Sequence, residues 1–181
     1  MKPTFKKVTL FSTLVVLVGV GMFFALAYLS KPKNPSQTLQ TAQGVYDGFQ
    51  LTMTLEKTEY TLGEPIDITL TLANISNQTV SFGLDASFSY FRFLVYNGTK
   101  STIYSSLYDG EALLPLSTLY TLNAGQSISD SSFSWQQTIF PPQGAHVLAG
   151  TYYIVGQVGP IWGTFAPNST IETTPIQITI D

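Results

Sequence analysis

The chain has no cysteine and a single histidine, His146. The first absence removes disulfides, thiol nucleophiles, thiolate zinc sites and iron–sulfur ligation together. It leaves export open, because a domain of this size can build a core without covalent staples. Charge is scarce too, at 10% of residues. From Gly44 onward only Lys57, Arg92 and Lys100 stand against all 11 acids, a net charge of −8 for that part. Nucleic-acid binding needs a basic patch to neutralise phosphates, so no nucleic-acid partner is expected. Helix patterning is missing after residue 44. With 44% hydrophobic residues, the composition is still far from that of a disordered chain.

What is present begins with one long apolar run, Val8 to Leu29, interrupted only by Thr9, Ser12 and Thr13 among polar residues. At about 1.5 Å per residue it is long enough to cross a hydrocarbon core of about 30 Å. The run predicts an uncleaved transmembrane anchor over 8–29 behind a short basic cytoplasmic tail, 1–7. The competing reading is a signal peptide cleaved after the small-x-small pattern Ala25-Leu26-Ala27. The continuation through Tyr28 and Leu29 favours the anchor. Lys2, Lys6 and Lys7 outweigh Lys31 and Lys33, which puts the N-terminus inside and the C-terminal domain outside the cytoplasm. A polar stalk with Pro32 and Pro35 is expected over 30–44.

Four of the six asparagines lie in N-x-[ST] sequons: Asn74, Asn77, Asn97 and Asn168. They are the glycosylation candidates of an outward-facing surface.

From 45 to 181 the pattern has period two. Phe49, Leu51, Met53 and Leu55 alternate with polar residues, as do Ile66, Ile68, Leu70 and Leu72, and later Ile176, Ile178 and Ile180. Such alternation marks strands with one face on a core and one in water. Asn97-Gly98 is a two-residue hairpin signal, and Asp109-Gly110, Asn123-Ala124-Gly125 and Pro141-Pro142 mark further bends. Many short strands with regular turns predict an all-β, immunoglobulin-like antiparallel β-sandwich behind one N-terminal transmembrane helix. A tyrosine in Gly150-Thr-Tyr-Tyr153 suits the corner position of such a fold.

Several segments carry a resemblance in order. Ile68-Thr-Leu-Thr-Leu-Ala-Asn-Ile-Ser76 is a strand ending in an Asn-x-Ser turn. Val80-Ser-Phe-Gly83 is a short strand. Phe91-Arg-Phe-Leu-Val-Tyr-Asn-Gly98 is a hairpin, with Asn97 in its acidic turn position. Leu122-Asn-Ala-Gly125 precedes Phe133-Ser-Trp135, and Leu148-Ala-Gly-Thr-Tyr-Tyr153 opens a late strand. In these features the segment Ile68–Gly159 resembles the BsuPI family of bacterial intracellular proteinase inhibitor domains. The resemblance implies a sandwich fold and proteinase inhibition. The chain departs from the family in its anchor, in Ala149 where the family has proline, and in longer stretches at Ser105–Leu122 and Pro160–Thr170.

Catalytic signals are weak. His146 has no nucleophile elbow beside it and reads as a surface residue. The near-paired acids Glu56/Glu59, Glu64/Asp67 and Asp109/Glu111 match no calcium loop and read as solvated turn residues. No catalytic residue, metal or cofactor is expected. The aromatic segment Val158–Pro167 stands out. Pro160, Ile161, Trp162 and Phe165 are the candidate partner-binding residues, with a core plug as the alternative for the aromatics. The composite expectation is a single-pass cell-membrane protein that lies in the bilayer through 8–29 and displays a non-catalytic binding domain. Its partner would be a protease or an envelope protein. The alternative is an accessory subunit of a cell-envelope complex.

Overall fold

The computed structural model describes residues 39–85, 91–106, 117–139, 145–163 and 169–181. These belong to a compact unit that begins at Thr38. The basic tail, the anchor over 8–29 and the stalk up to residue 38 lie outside the described residues, as do Phe165 and Asn168. Among the described residues no helix is long and apolar enough to cross a membrane.

Twelve strands make up the described fold: β1 (Gln40–Tyr46), β2 (Phe49–Leu55), β3 (Glu59–Tyr60), β4 (Ile66–Asn74), β5 (Val80–Asp85), β6 (Phe91–Asn97), β7 (Thr102–Ser105), β8 (Ser117–Leu122), β9 (Ser127–Trp135), β10 (Gly150–Gly163), β11 (Ser169–Glu172) and β12 (Ile176–Ile180). One sheet has four strands in the order β1-β2-β4-β9. The other has eight, built on the path β3-β12-β10-β5-β8, with β11 and β6 also pairing β10, and β7 pairing β6. All pairings are antiparallel except the short β3–β12 contact.

The period-two pattern does what it predicts. β2, and β4 as far as Leu72, alternate between fully buried apolar residues and half-buried or exposed polar ones, and β12 does the same with its three isoleucines. The buried faces of both sheets form one core. Aromatic pairs cross it: Phe49 of β2 meets Phe82 of β5 edge-on at 5.0 Å, and Phe133 of β9 meets Phe93 of β6 at 5.8 Å. Trp135 of β9, fully buried, lies 6.0 Å from Tyr104 and 6.1 Å from Tyr152. Each such pair is worth about 0.5–1.5 kcal/mol beyond its area. Two facing sheets on one apolar core make this an all-β, antiparallel sandwich.

The stalk expected over 30–44 is corrected at its C-terminal end, where Gln40–Tyr46 is strand β1. Only Ala42 in it is buried, so an edge strand of Gln, Thr and Gly offered no apolar period to read. It joins β2 through a two-residue turn in which Asp47 and Gly48 both have positive φ, 46° and 80°. That is the chemistry of a type I′ hairpin.

β10 is the spine of the larger sheet. It pairs β12 and then β11 along one side, and β6 and then β5 along the other. The change from β6 to β5 comes at Gly159, whose φ of 133° and close approach to the Ser169 carbonyl admit no side chain. The corner tyrosine is found: the Tyr152 hydroxyl donates to the Leu148 carbonyl at 2.7 Å.

Candidate functional site

The outward face of the larger sheet carries a groove of about 450 Å³, within the range of small-molecule sites. Its floor is set by register. Tyr153 of β10 lies directly across from Tyr96 of β6, and Val155 lies across from Leu94 two pairs further on. Both tyrosines are half-buried, and Val155 is almost wholly covered.

One wall is the β6–β7 hairpin, with Gly98 and Lys100. Its turn differs from the two-residue type read from Asn97-Gly98. The Lys100 N–H donates to the Asn97 carbonyl, the Asn97 N–H donates to the Ser101 carbonyl, and Lys100 holds φ 63°. The loop therefore has three residues, and its left-handed position, usually glycine, is a lysine. The Asn97 carbonyl oxygen of the side chain accepts from the Thr99 N–H and hydroxyl and from the Ser101 N–H, which fixes the turn. Among the described residues the Lys100 ammonium has no ion-pair partner; the one ion pair there is Lys57–Glu64.

The other wall is the link from β11 to β12, with Glu172, Thr173 and Pro175. Buried Thr173 clamps it to β10, donating its N–H to the Gly156 carbonyl and accepting the Gly156 N–H on its hydroxyl. The Thr174 N–H then donates to the Gln43 carbonyl of β1. Behind the wall runs a polar chain across three strands. Arg92 Nε donates to Gln157 Oε1 at 2.6 Å, and Gln157 Nε2 donates to Glu172 Oε1 at 2.5 Å. Burial lifts the Tyr96 phenol above its ordinary pKa, with the Glu172 charge adding to the rise and a hydrogen bond with Thr102 opposing it.

Of the described residues singled out from sequence, Asn97 lies in the hairpin wall of the groove and the others do not line it. Ile161 is corrected as a contact residue. It is fully buried in the core, because the segment is the end of β10 pairing β5 and β11 instead of a free loop. Pro160 and Trp162 have their backbones in the same strand, Trp162 opposite Gly83. Asn74 is corrected as a glycan acceptor. It is wholly buried, its Nδ2 donates to the Gln78 and Leu122 carbonyls, and its Oδ1 accepts from the Ser76 N–H and hydroxyl. Asn77 is exposed and Asn97 half-buried. His146 is exposed in an isolated bridge with Thr138. Glu64 is held below the usual carboxylate range, first by the Lys57 hydrogen bond and then by the Thr61 N–H. The groove itself was missed, although the unusual Asn-Gly-Thr-Lys turn and a strand reading Tyr-Tyr-Ile-Val-Gly-Gln were visible signals.

No protein-family profile matches the chain, and no curated protein matches it. Solved structures do. A mutant β-glucosidase from Listeria innocua in complex with laminaribiose is 16% identical with a TM-score of 0.42, covering 75% of this chain and 16% of its own. The C-terminal domain of wzt is 11% identical with a TM-score of 0.42 and 82% coverage of both chains. The present chain thus spans about 16% of the length of the glucosidase.

Proposed function

We propose that the chain is a non-catalytic binding module, tethered by its 8–29 segment to the cell membrane and displayed outside the cytoplasm on an immunoglobulin-like sandwich. The observation that carries the binding reading is the groove. It has a rigid sheet floor, two clamped walls, and a lysine held in a left-handed conformation at its rim. Strain of that kind costs about 1–3 kcal/mol and clusters where side chains are presented to ligands. The bond from Tyr152 to Leu148 supports the immunoglobulin-like topology, in which a tyrosine near the start of a late strand bonds back upstream. Val8–Leu29 supports the anchor by length alone.

A photo-crosslinking side chain at Tyr153 in the full-length protein, in its own membrane, tests the module. Adducts are expected from position 153 and not from Thr52 on the outward face of the smaller sheet. Equal labelling from both, or from neither, removes the groove as the binding face.

A narrower reading, a BsuPI-type proteinase inhibitor, draws support from the Asn74-Ile-Ser76 turn, where the hydrogen bonds close the motif of the resemblance. Stoichiometric loss of protease activity on adding the purified chain is its expected result. Cleavage of the chain without inhibition counts against it. If the chain instead purifies in a permanent stoichiometric complex, the accessory-subunit role stands.

A further inference from the structure

The outward face of a sheet folds well without a buried amide, yet Gln157 points outward and is only 5% exposed. Its orientation is fixed from behind. Arg92 can only donate, so the Gln157 oxygen faces it and the Gln157 nitrogen must face Glu172. This holds Glu172 with Oε1 engaged and leaves Oε2 with no hydrogen-bond partner among the described residues. Across the groove, Lys100 and the Tyr153 hydroxyl offer donors that no described residue accepts. Of the three cations beyond Gly44, Lys57 pairs with Glu64, Arg92 holds Gln157, and Lys100 lines the groove.

This arrangement selects a ligand chemistry. β10 is flanked by strands on both sides, so an extended peptide cannot pair with its backbone, and recognition falls to side chains. Charges of opposite sign face each other, so a polyanion such as nucleic acid gains at Lys100 and loses at Glu172. A sugar ring suits both walls. Its hydroxyls donate to a carboxylate and accept from an ammonium, and its C–H face covers a phenol ring, which is itself apolar with a polar tip. Hydrogen bonds to charged groups are the stronger kind.

We propose that the groove between the β6–β7 hairpin and the β11–β12 link is a carbohydrate site that takes a neutral oligosaccharide. Its sugar rings lie against Tyr96 and Tyr153, and its hydroxyls bridge Glu172 and Lys100. The proposal rests on the binding-module reading and supplies its ligand class.

Calorimetric titration of the full-length chain tests it, in a polyoxyethylene detergent that carries no sugar headgroup. The probes are maltotriose, cellotriose and the trimer of N-acetylglucosamine, with trigalacturonate as the anionic comparison. At least one neutral trimer should bind saturably below about 10 mM, the range of a few hydrogen bonds. Glu172→Gln and Tyr153→Ala should each weaken it about tenfold or more. Glu172→Gln keeps shape and size, so it decides the matter if Tyr153→Ala folds poorly. The proposal is overturned if no neutral trimer saturates, if Glu172→Gln binds as the native chain does, or if trigalacturonate binds tenfold tighter than any neutral trimer. A protein adduct from position 153 without sugar binding overturns the carbohydrate assignment while leaving the module intact.

Discussion

Two buried amides hold the ends of the sandwich. At one end Asn74 satisfies all its side-chain groups against backbone and Ser76. At the other, Gln137 is fully buried with φ 55°, accepts the Gly63 N–H, and donates to the Thr61 and Glu64 carbonyls. Truncating Gln137 removes three hydrogen bonds, at about 0.5–1.5 kcal/mol net for each. Gln137→Ala should therefore lower stability by about 2–3 kcal/mol in urea unfolding, while the exposed neighbour Gln136→Ala stays within about 0.5 kcal/mol. Tyr60 gives a pH prediction. Burial pushes its phenol up to about 12, and the neutral hydroxyl donates to the Lys57 carbonyl. The unfolded chain ionises this group near pH 10, so the stability it contributes is complete below about pH 10 and lost between about 10 and 12. Tyr60→Phe should cost about 1 kcal/mol at neutral pH through the lost hydrogen bond. It should also flatten the alkaline decline, as read from urea midpoints at pH 8, 10 and 11.

At the scale of elements, close approach of backbones sets which residues are tolerated. A Cβ on Gly44 would stand 1.7 Å from the Glu172 carbonyl oxygen, where β1 meets the wall of the groove. Neither partner is a flexible side-chain tip. Gly44→Ala must therefore push β1 off β11, and a loss of about 2 kcal/mol or more is expected, visible as a lowered melting temperature. Hydrogen exchange should rise at Thr174, whose N–H bonds to Gln43. The hairpin bearing Lys100 runs the other way. A left-handed lysine costs about 1–2 kcal/mol and glycine pays about 0.5–1 in flexibility, so Lys100→Gly should stabilise by about 0.5 kcal/mol. The same change should weaken ligand binding at the groove. Gain of stability with loss of binding in one variant would mark Lys100 as held there for its ammonium.

For the whole molecule, both sheets bury alternating residues in one core, with no disulfide to assist. Leu70 lies in its centre, fully buried beneath β10, where its Cδ2 fills the space a Gly156 side chain would need. Leu70→Asp puts an unpaired charge there, and loss of cooperative folding is expected by circular dichroism. The proposed topology has a test at this scale. Protease added to intact cells, or to protoplasts where a wall intervenes, should remove the domain and leave the anchor in the membrane. Full protection would reverse the orientation. A mature N-terminus at Tyr28 would show a cleaved signal peptide.

The sequence by itself determined the fold class. The alternation in Phe49–Leu55, Ile66–Leu72 and Ile176–Ile180 assigns each side chain to core or water, and antiparallel sheets follow because only local period and turn chemistry are needed. The corner tyrosine was legible for the same reason, being bound four residues upstream. Strand β1 was not, since an edge strand buries almost nothing, and the three-residue hairpin was not, since Asn-Gly serves more than one turn. The site was decided by tertiary structure alone. Tyr96 and Tyr153, or Arg92, Gln157 and Glu172, are neighbours through strand register and not through spacing along the chain. The register shift between Val158 and Ile161 turned Ile161 inward, and no window of sequence contains that information, whereas Asn74 simply continues the inward alternation of Ile66–Leu72.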